Sequence, residues 1–115
     1  MELNEYASKA MQTAIYPGAG TPMGLAYVAL KMNGEAGEFA EHLGKAMRDD
    51  DLEEIGGVLE GRHALLVKEV GDVLWYLAAA CRELGITLED AAQINLAKLA
   101  DRNTRNKLQG SGDER

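Results

Sequence analysis

The chain has 115 residues, of which 46% are apolar and only two are proline, and it carries a formal net charge of −7. This length supports one domain with one modest core, and the composition favours helices. The acidic balance argues against nucleic-acid binding, because no basic field dominates. The single cysteine, Cys81, excludes an internal disulfide and fits a reducing cytoplasm. No apolar run suits a membrane span, and the acidic N-terminus is unlike a signal peptide.

The first half of the chain is predicted to form two helices. Apolar residues at helical spacing indicate a helix over residues 3–15, and the proline and glycines of residues 16–20 predict the loop that follows. Thr21 and Pro22 fit the N-cap and first position of a second helix, which we expect to reach about Arg48. Seven apolar positions in steps of three and four form its predicted core-facing stripe: Leu25, Ala29, Met32, Ala36, Phe39, Leu43 and Ala46.

A third helix is predicted after a break in the apolar pattern. The charged and glycine-containing residues 49–57 predict a loop that holds a short helical turn at residues 52–55. We expect the helix to begin at Val58 or at Arg62 and to end near Leu84. Its predicted core-facing stripe also has steps of three and four: Leu66, Val70, Val73, Leu77, Ala80 or Cys81, and Leu84.

The end of the chain is predicted to form a fourth helix and a tail. Gly85 is a natural stop for the third helix, and Thr87 fits the N-cap of the fourth, which we expect to end near residue 105. We therefore predict an all-α, four-helix bundle-like domain over residues 1–109. Residues 110–115 are predicted to be a flexible tail.

Two acidic motifs stand inside the second and third helices. Each holds two carboxylates three residues apart, Glu35 with Glu38 and Glu69 with Asp72. Residues three apart share a helix face, and both pairs lie beside the apolar stripe, so helix packing would gather four carboxylates. Such a group repels itself unless cations or protons neutralise it. Its all-oxygen chemistry suits a hard cation, Mg²⁺ or Mn²⁺.

A glycine precedes the second acid of each motif. Gly37 and Gly71 occupy equivalent positions, although glycine inside a helix costs about 1 kcal/mol relative to alanine. We expect the absence of side chains there to let the two helices cross closely and bring the acids together.

A di-iron carboxylate centre is the competing metal site. Helical bundles that bind two irons use two Glu-x-x-His motifs, whereas this chain has one, Glu60 with His63, at a glycine-broken helix start. His42 follows Glu38 by four residues, which is the wrong spacing. We therefore expect that neither histidine binds a metal ion, and that each lies at the surface or contacts a residue that does bind the ion.

Two further groups suit a nucleotide. Asn95, Lys98 and Arg102 share a face of the fourth helix, where the cations could bind phosphate oxygens; a merely solvated face explains that spacing about as well. Trp75 and Tyr76 follow the second acidic motif and could stack on a base, although packing in a core or an interface is the favoured interpretation.

Taken in chain order, these segments resemble the MazG-like all-α nucleoside triphosphate pyrophosphohydrolases. The likeness covers most of the chain and is carried by five segments: residues 13–17, Gly34-Glu35-Ala36-Gly37-Glu38, Glu69-Val70-Gly71-Asp72-Val73-Leu74-Trp75-Tyr76-Leu77, Asn95-Leu96-Ala97-Lys98-Leu99 and Gly110-Ser111-Gly112-Asp113. Two features depart from the family pattern. Many members have a glutamate where this chain has Gly34, and residues 49–61 lengthen the gap between the motifs.

The resemblance implies an enzyme that hydrolyses nucleoside triphosphates between the α and β phosphorus atoms, giving a monophosphate and pyrophosphate. It implies nucleotide-pool house-cleaning in a homodimer or homotetramer that completes the four-helix core. The implied metal ligands are four carboxylates: Glu35, Glu38, Glu69 and Asp72. Glu38 or Glu35 would be the general base, and the phosphate contacts would come from Asn95, Lys98 and Arg102.

Two other functions remain open on the sequence. A non-catalytic helical dimerisation module predicts that Glu38→Ala changes little except stability. Another metal-dependent nucleotide phosphohydrolase could use the same carboxylates, and it would release single phosphate instead of pyrophosphate.

Overall fold

The chain folds into four α-helices in the computed structural model, which describes residues 1–49 and 55–114, and the side chains of 1–49 and 61–114. The helices are α1 (Leu3–Met11), α2 (Pro22–Asp49), α3 (Ile55–Glu83) and α4 (Leu88–Thr104). No strand occurs in this part of the chain, so the all-α prediction is confirmed. No described helix is long and apolar enough to cross a membrane.

Helices α2 and α3 form the antiparallel pair on which the rest is built. Val28 and Ala79 pack together in the core near one end of the pair, and Arg62 lies 3.9 Å from Asp49 near the other. Helix α1 packs on α3, and α4 contacts α1 and α3 but, within the described residues, not α2. The pair therefore places both acidic motifs side by side, while α4 lies to one side of it.

Local signals end α3 and start α4 where the sequence predicts. Gly85 has a φ of 72°, in the left-handed region that glycine tolerates. The Ile86 N–H donates to the Cys81 carbonyl at 3.0 Å, which closes α3. The Asp90 N–H then donates to the Thr87 hydroxyl at 3.0 Å, and the Thr87 N–H donates to the Asp90 carboxylate at 3.0 Å. This reciprocal capping satisfies two N–H groups that the helix itself leaves unpaired.

Two helix boundaries differ from prediction. Helix α1 ends at Met11 and not at residue 15. The Thr13 hydroxyl donates to the Ala10 carbonyl at 2.7 Å and the Trp75 indole N–H donates to it at 3.2 Å, so side chains occupy the end of that helix. Helix α3 begins at Ile55, before both predicted starts. Extending a nucleated helix gains one backbone bond per residue, which offsets its early glycines. The turn predicted at residues 52–55 otherwise lies outside the described residues.

The predicted apolar stripes are only partly buried. Ala46 on α2 is fully buried, whereas Ala29 and Ala36 are exposed. On α3 the predicted Leu66 and Cys81 are buried, but Val70 is 56% exposed. The stripes are thus only partly covered within one chain, and their coverage by a second copy, which the predicted oligomeric core requires, stays a prediction. One chain supplies only one long partner helix to each of α2 and α3, so part of each stripe is left uncovered.

The uncovered part of the two stripes forms an apolar groove between α2 and α3. Its volume is about 340 Å³, and six side chains line it: Ala36, Phe39, Val70, Val73, Leu74 and Leu77. We call this surface the apolar groove. It lies directly beside the two acidic motifs, because its lining residues alternate with motif residues along both helices.

Glu83 fixes the loop between α1 and α2 to the end of α3. The Tyr16 hydroxyl donates to the Glu83 carboxylate, and the Gly20 N–H donates to both of its oxygens at 3.0 Å. The hydrogen bond from Tyr16, followed by that from Gly20, holds the pKa of Glu83 below its usual value. The ionised carboxylate thus orders the loop that leads into α2.

Candidate metal centre

Three of the four predicted carboxylates meet at one place. Glu35 projects from α2, Glu69 and Asp72 project from α3, and one oxygen of each lies within 4.8 Å of the other two. Glu69 is buried with 9% of its surface exposed, Glu35 is half-buried and Asp72 is exposed. The antiparallel pairing of the helices therefore creates an acidic cluster with one buried and one solvent-facing side. We call these three residues the acidic cluster.

Glu69, the buried member of the acidic cluster, has one oxygen that contacts a histidine and one without a hydrogen-bond partner. Glu69 Oε1 lies 3.3 Å from Nε2 of His42, and Oε2 is buried with no hydrogen-bond partner among the described residues. An orphaned buried carboxylate oxygen is costly. Its position among two more carboxylates fits a bound cation, which would supply the missing partner, and the all-oxygen donor set suits Mg²⁺ or Mn²⁺.

Glu35 shows the electrostatic cost of gathering these acids. Burial raises the pKa of its carboxyl most, and the charge of Glu38, a hydrogen-bonding contact with Glu69 and the charges of Asp72 and Glu69 raise it further. These effects oppose the ionised form of a group that would have to be ionised to ligate a metal. A divalent cation at this position would reverse the balance, because its charge favours every neighbouring carboxylate.

Glu38 lies next to the acidic cluster but outside the three oxygens that converge. It is exposed and close enough to raise the pKa of Glu35. It also lines a polar cavity of about 350 Å³, whose other lining residues are Glu41, His42, Lys45, Leu65 and Glu69. We call this space the polar cavity. Glu38 is therefore the acid of the first motif that faces open space beside the cluster, where a water molecule or a substrate has room.

Gly37 and Gly71 do not have the role that their spacing predicts. A Cβ built on either glycine has no atom within 4 Å outside its own helix. The prediction that the missing side chains let α2 and α3 cross closely is therefore wrong within one chain. Side-chain length explains the convergence instead, because carboxylates can bridge the ordinary distance between two packed helices.

The two aromatic residues after the second motif have different surroundings. The Trp75 indole N–H donates to the Ala10 carbonyl and, at 3.0 Å, to the Thr13 hydroxyl, and the ring packs edge-on against Tyr16. Trp75 thus holds α1 against α3. Tyr76 is half-buried beside the acidic cluster. Its pKa is raised, because the effect of burial is larger than the opposing effect of the positive charge of nearby Lys31.

The residues predicted to bind phosphate lie on α4. Lys98 Nζ lies 3.0 Å from the Asp113 carboxylate, and Arg102 donates to the Asp113 main-chain carbonyl at 2.9 Å. Arg102 is only 4% exposed, whereas Asn95 is exposed. The pair of cations, Lys98 first, holds the pKa of Asp113 below its usual value. Within the described residues, α4 does not contact α2, the helix that carries Glu35.

His42 is the neighbour of the acidic cluster whose contact the sequence did not reveal. It was expected at the surface or supporting a ligand, and it is half-buried against Glu69, a residue 27 positions away. A signal was present, because His42 follows Glu35 by seven residues, about two helical turns, and so shares its face. The identity of its partner depended on how α2 and α3 align.

An antiparallel helix pair that gathers acids from two motifs defines an all-α protein with a carboxylate cation site. The family model of the MazG nucleotide pyrophosphohydrolase domain matches residues 26–106, which include all four acids. The chain therefore belongs to the MazG nucleotide pyrophosphohydrolase family. It is 42% identical over 118 residues to the "Gene 37 protein" of Mycobacterium phage L5, covering 100% of both chains; that name states no activity. No solved structure matches the chain.

Proposed function

We propose that this protein hydrolyses nucleoside triphosphates between the α and β phosphorus atoms, in a reaction that depends on Mg²⁺ or Mn²⁺. The observation that supports this most is that Glu69, the buried member of the acidic cluster, has one buried oxygen without a hydrogen-bond partner. The family to which the chain belongs supports the same reaction class. The biological role that we propose is removal of unwanted nucleotides from the cytoplasmic pool, for which the buried free thiol of Cys81 suits a reducing compartment.

The proposed mechanism divides the four acids by their surroundings. Glu35, Glu69 and Asp72 would hold the cation, since their oxygens converge. A cation held there would supply positive charge to offset the negative charge of the triphosphate and would lower the pKa of a bound water molecule. Glu38 lines the polar cavity, which supports the choice of its carboxylate over that of Glu35 as the proposed general base that accepts a proton from water. Tyr76 lies near Glu35 and Asp72 and is proposed to contact the base of a nucleotide bound at the cluster.

Asn95, Lys98 and Arg102 are proposed to bind the substrate phosphates. Lys98 and Arg102 already bind the carboxylate of Asp113, so this position accepts an anion. A phosphate group that binds there takes the place of Asp113, and the fork of the arginine suits phosphate oxygens. Since α4 stands apart from α2, the substrate must bridge the two surfaces within one chain or meet α4 of a second copy.

The proposed activity predicts a specific set of products. The chain with Mg²⁺ and a nucleoside triphosphate should release the monophosphate and pyrophosphate in equal amounts, and chelation of the metal should abolish release. Ion chromatography of the products from a panel of canonical and damaged triphosphates measures both the bond cleaved and the preferred base. Release of orthophosphate would point to another phosphohydrolase, and complete inactivity to a dimerisation module.

A second copy of the chain is proposed to cover the apolar groove, giving a homodimer or a pair of dimers. Val70 is 56% and Leu77 40% exposed at the groove, and burial of such surface stabilises by about 25 cal/mol per Å². The open space beside Gly37 and Gly71, on the same two helices, lets another helix approach. A copy seated there would also complete the four-helix core that one chain leaves open.

Leu77→Lys should convert the assembly into monomers, because a buried, unpaired ammonium group in an apolar interface is strongly unfavourable. Light scattering coupled to size-exclusion chromatography measures the mass. Leu30→Lys is the matched control, since Leu30 is 73% exposed on α2 and does not line the groove. An unchanged mass for Leu77→Lys would show that the groove is not the interface.

A further inference from the structure

His42 connects the two helices that carry the acidic motifs. It stands on α2, and its Nε2 lies 3.3 Å from Oε1 of Glu69 on α3. The His42 side chain is 21% exposed and that of Glu69 is 11% exposed, so this contact is shielded from most of the solvent. A carboxylate oxygen accepts and an imidazole N–H donates, so the tautomer that carries its proton on Nε2 makes His42 the donor in this contact.

The contact divides the two oxygens of the Glu69 carboxylate between two tasks. Oε1 accepts from His42, whereas Oε2 is buried and has no hydrogen-bond partner in the described part of the chain. A glutamate has three rotatable side-chain bonds, and ordering such a side chain costs conformational entropy. Fixing one oxygen restricts the rotation of the carboxylate before any cation arrives, and the other oxygen stays buried and free to bind a cation.

We propose that His42 is a positioning residue that holds Glu69 in the orientation needed to bind the divalent cation. This inference rests on the proposed metal-dependent function. His42 itself does not ligate, because the nitrogen nearest to the cluster is used by Glu69. Its removal leaves all four acids in place and withdraws only the constraint on one of them. The effect therefore falls on cation affinity, and turnover at saturating cation is largely retained.

The inference is tested by the binding of Mn²⁺ alone to the full chain, followed by electron paramagnetic resonance of the free ion. His42→Ala should weaken Mn²⁺ binding by about 10-fold to 100-fold, the range observed when residues that orient metal ligands are removed. His42→Gln should restore part of the affinity, because its amide N–H₂ can reach the same carboxylate oxygen. The matched control is His63→Ala, since His63 is the other histidine and is exposed on α3.

Three outcomes separate this inference from the proposed function. Equal Mn²⁺ affinities for the unaltered chain and His42→Ala would overturn the positioning role alone. No Mn²⁺ binding by the unaltered chain would overturn the positioning role and the metal-dependent function together. If His42→Ala melts well below the unaltered chain, His42→Gln decides the question. A folded His42→Gln that binds Mn²⁺ no more tightly than His42→Ala also overturns the inference.

Discussion

Asp72→Asn should reduce triphosphate hydrolysis by more than about 100-fold while the fold is retained. Asp72 is an exposed member of the acidic cluster, whose oxygen lies within 4.8 Å of those of Glu35 and Glu69. Asparagine has the same shape, so little packing changes, but it removes the negative charge that a divalent cation needs. Steady-state release of pyrophosphate, with melting temperature as the check on folding, measures the loss of activity.

Asp101→Asn is the matched control for the effect on activity. Asp101 is an exposed aspartate on α4 that pairs with Arg105 at 2.8 Å, and such a surface ion pair contributes about 0–1 kcal/mol. The control makes the same chemical change and the same change in net charge, so activity should stay within about twofold. Retained hydrolysis in Asp72→Asn would contradict the proposed metal centre. Equal losses in both variants would mean that net charge, and not the cluster, controls the rate.

Gly24→Ala should lower the free energy of unfolding by about 2–3 kcal/mol, near the upper end for an overpacked core position. A Cβ at Gly24 would lie 2.4 Å from the Gly18 carbonyl oxygen and 2.8 Å from the Gly18 carbonyl carbon. These backbone atoms cannot move away easily, because the Thr21 N–H and hydroxyl both donate to the Gly18 oxygen, at 2.9 and 2.6 Å. Glu83 holds Gly20 in the same loop.

Gly44→Ala provides the opposite expectation on the same helix. A Cβ at Gly44 meets no atom within 4 Å, so alanine gains helix propensity, up to about 1 kcal/mol, without a clash. Urea denaturation of both variants gives the difference directly. Equal midpoints would show that the loop of Gly18 adapts to a side chain at residue 24, contrary to the tight contact in the structure.

The parts of the fold that the sequence predicted correctly are those that depend on neighbouring residues. Thr87 and Asp90 are three residues apart, and Gly85 needs only its own backbone freedom, so the break between α3 and α4 was evident from residue types. The failures depend on distant residues. Helix α1 ends early with Trp75 bonded to its last turn, a contact across 65 positions that no local pattern contains.

The coverage of the apolar stripes also depends on distant residues. A repeat of three and four residues shows that a helix has an apolar face, but not what covers that face. Val28 is fully buried in α2 although it stood outside the predicted stripe, whereas Val70 is exposed although it belonged to one. Both differences follow from the way in which α2 and α3 pack, which leaves the apolar groove uncovered within one chain.

The candidate site divides along the same line. The sequence by itself determined the helical class, the four acids of the two motifs and their suitability for a hard cation, because residue type and spacing three apart fix chemistry and helix face. Only the tertiary structure decided that Glu35, Glu69 and Asp72 converge, while Glu38 faces the polar cavity. It also decided that Gly37 and Gly71 are not contact points within one chain. The contact between His42 and Glu69 likewise appears only in the tertiary structure. The alignment of α2 on α3 sets these distances, and packing across the whole interface, not any one motif, sets that alignment.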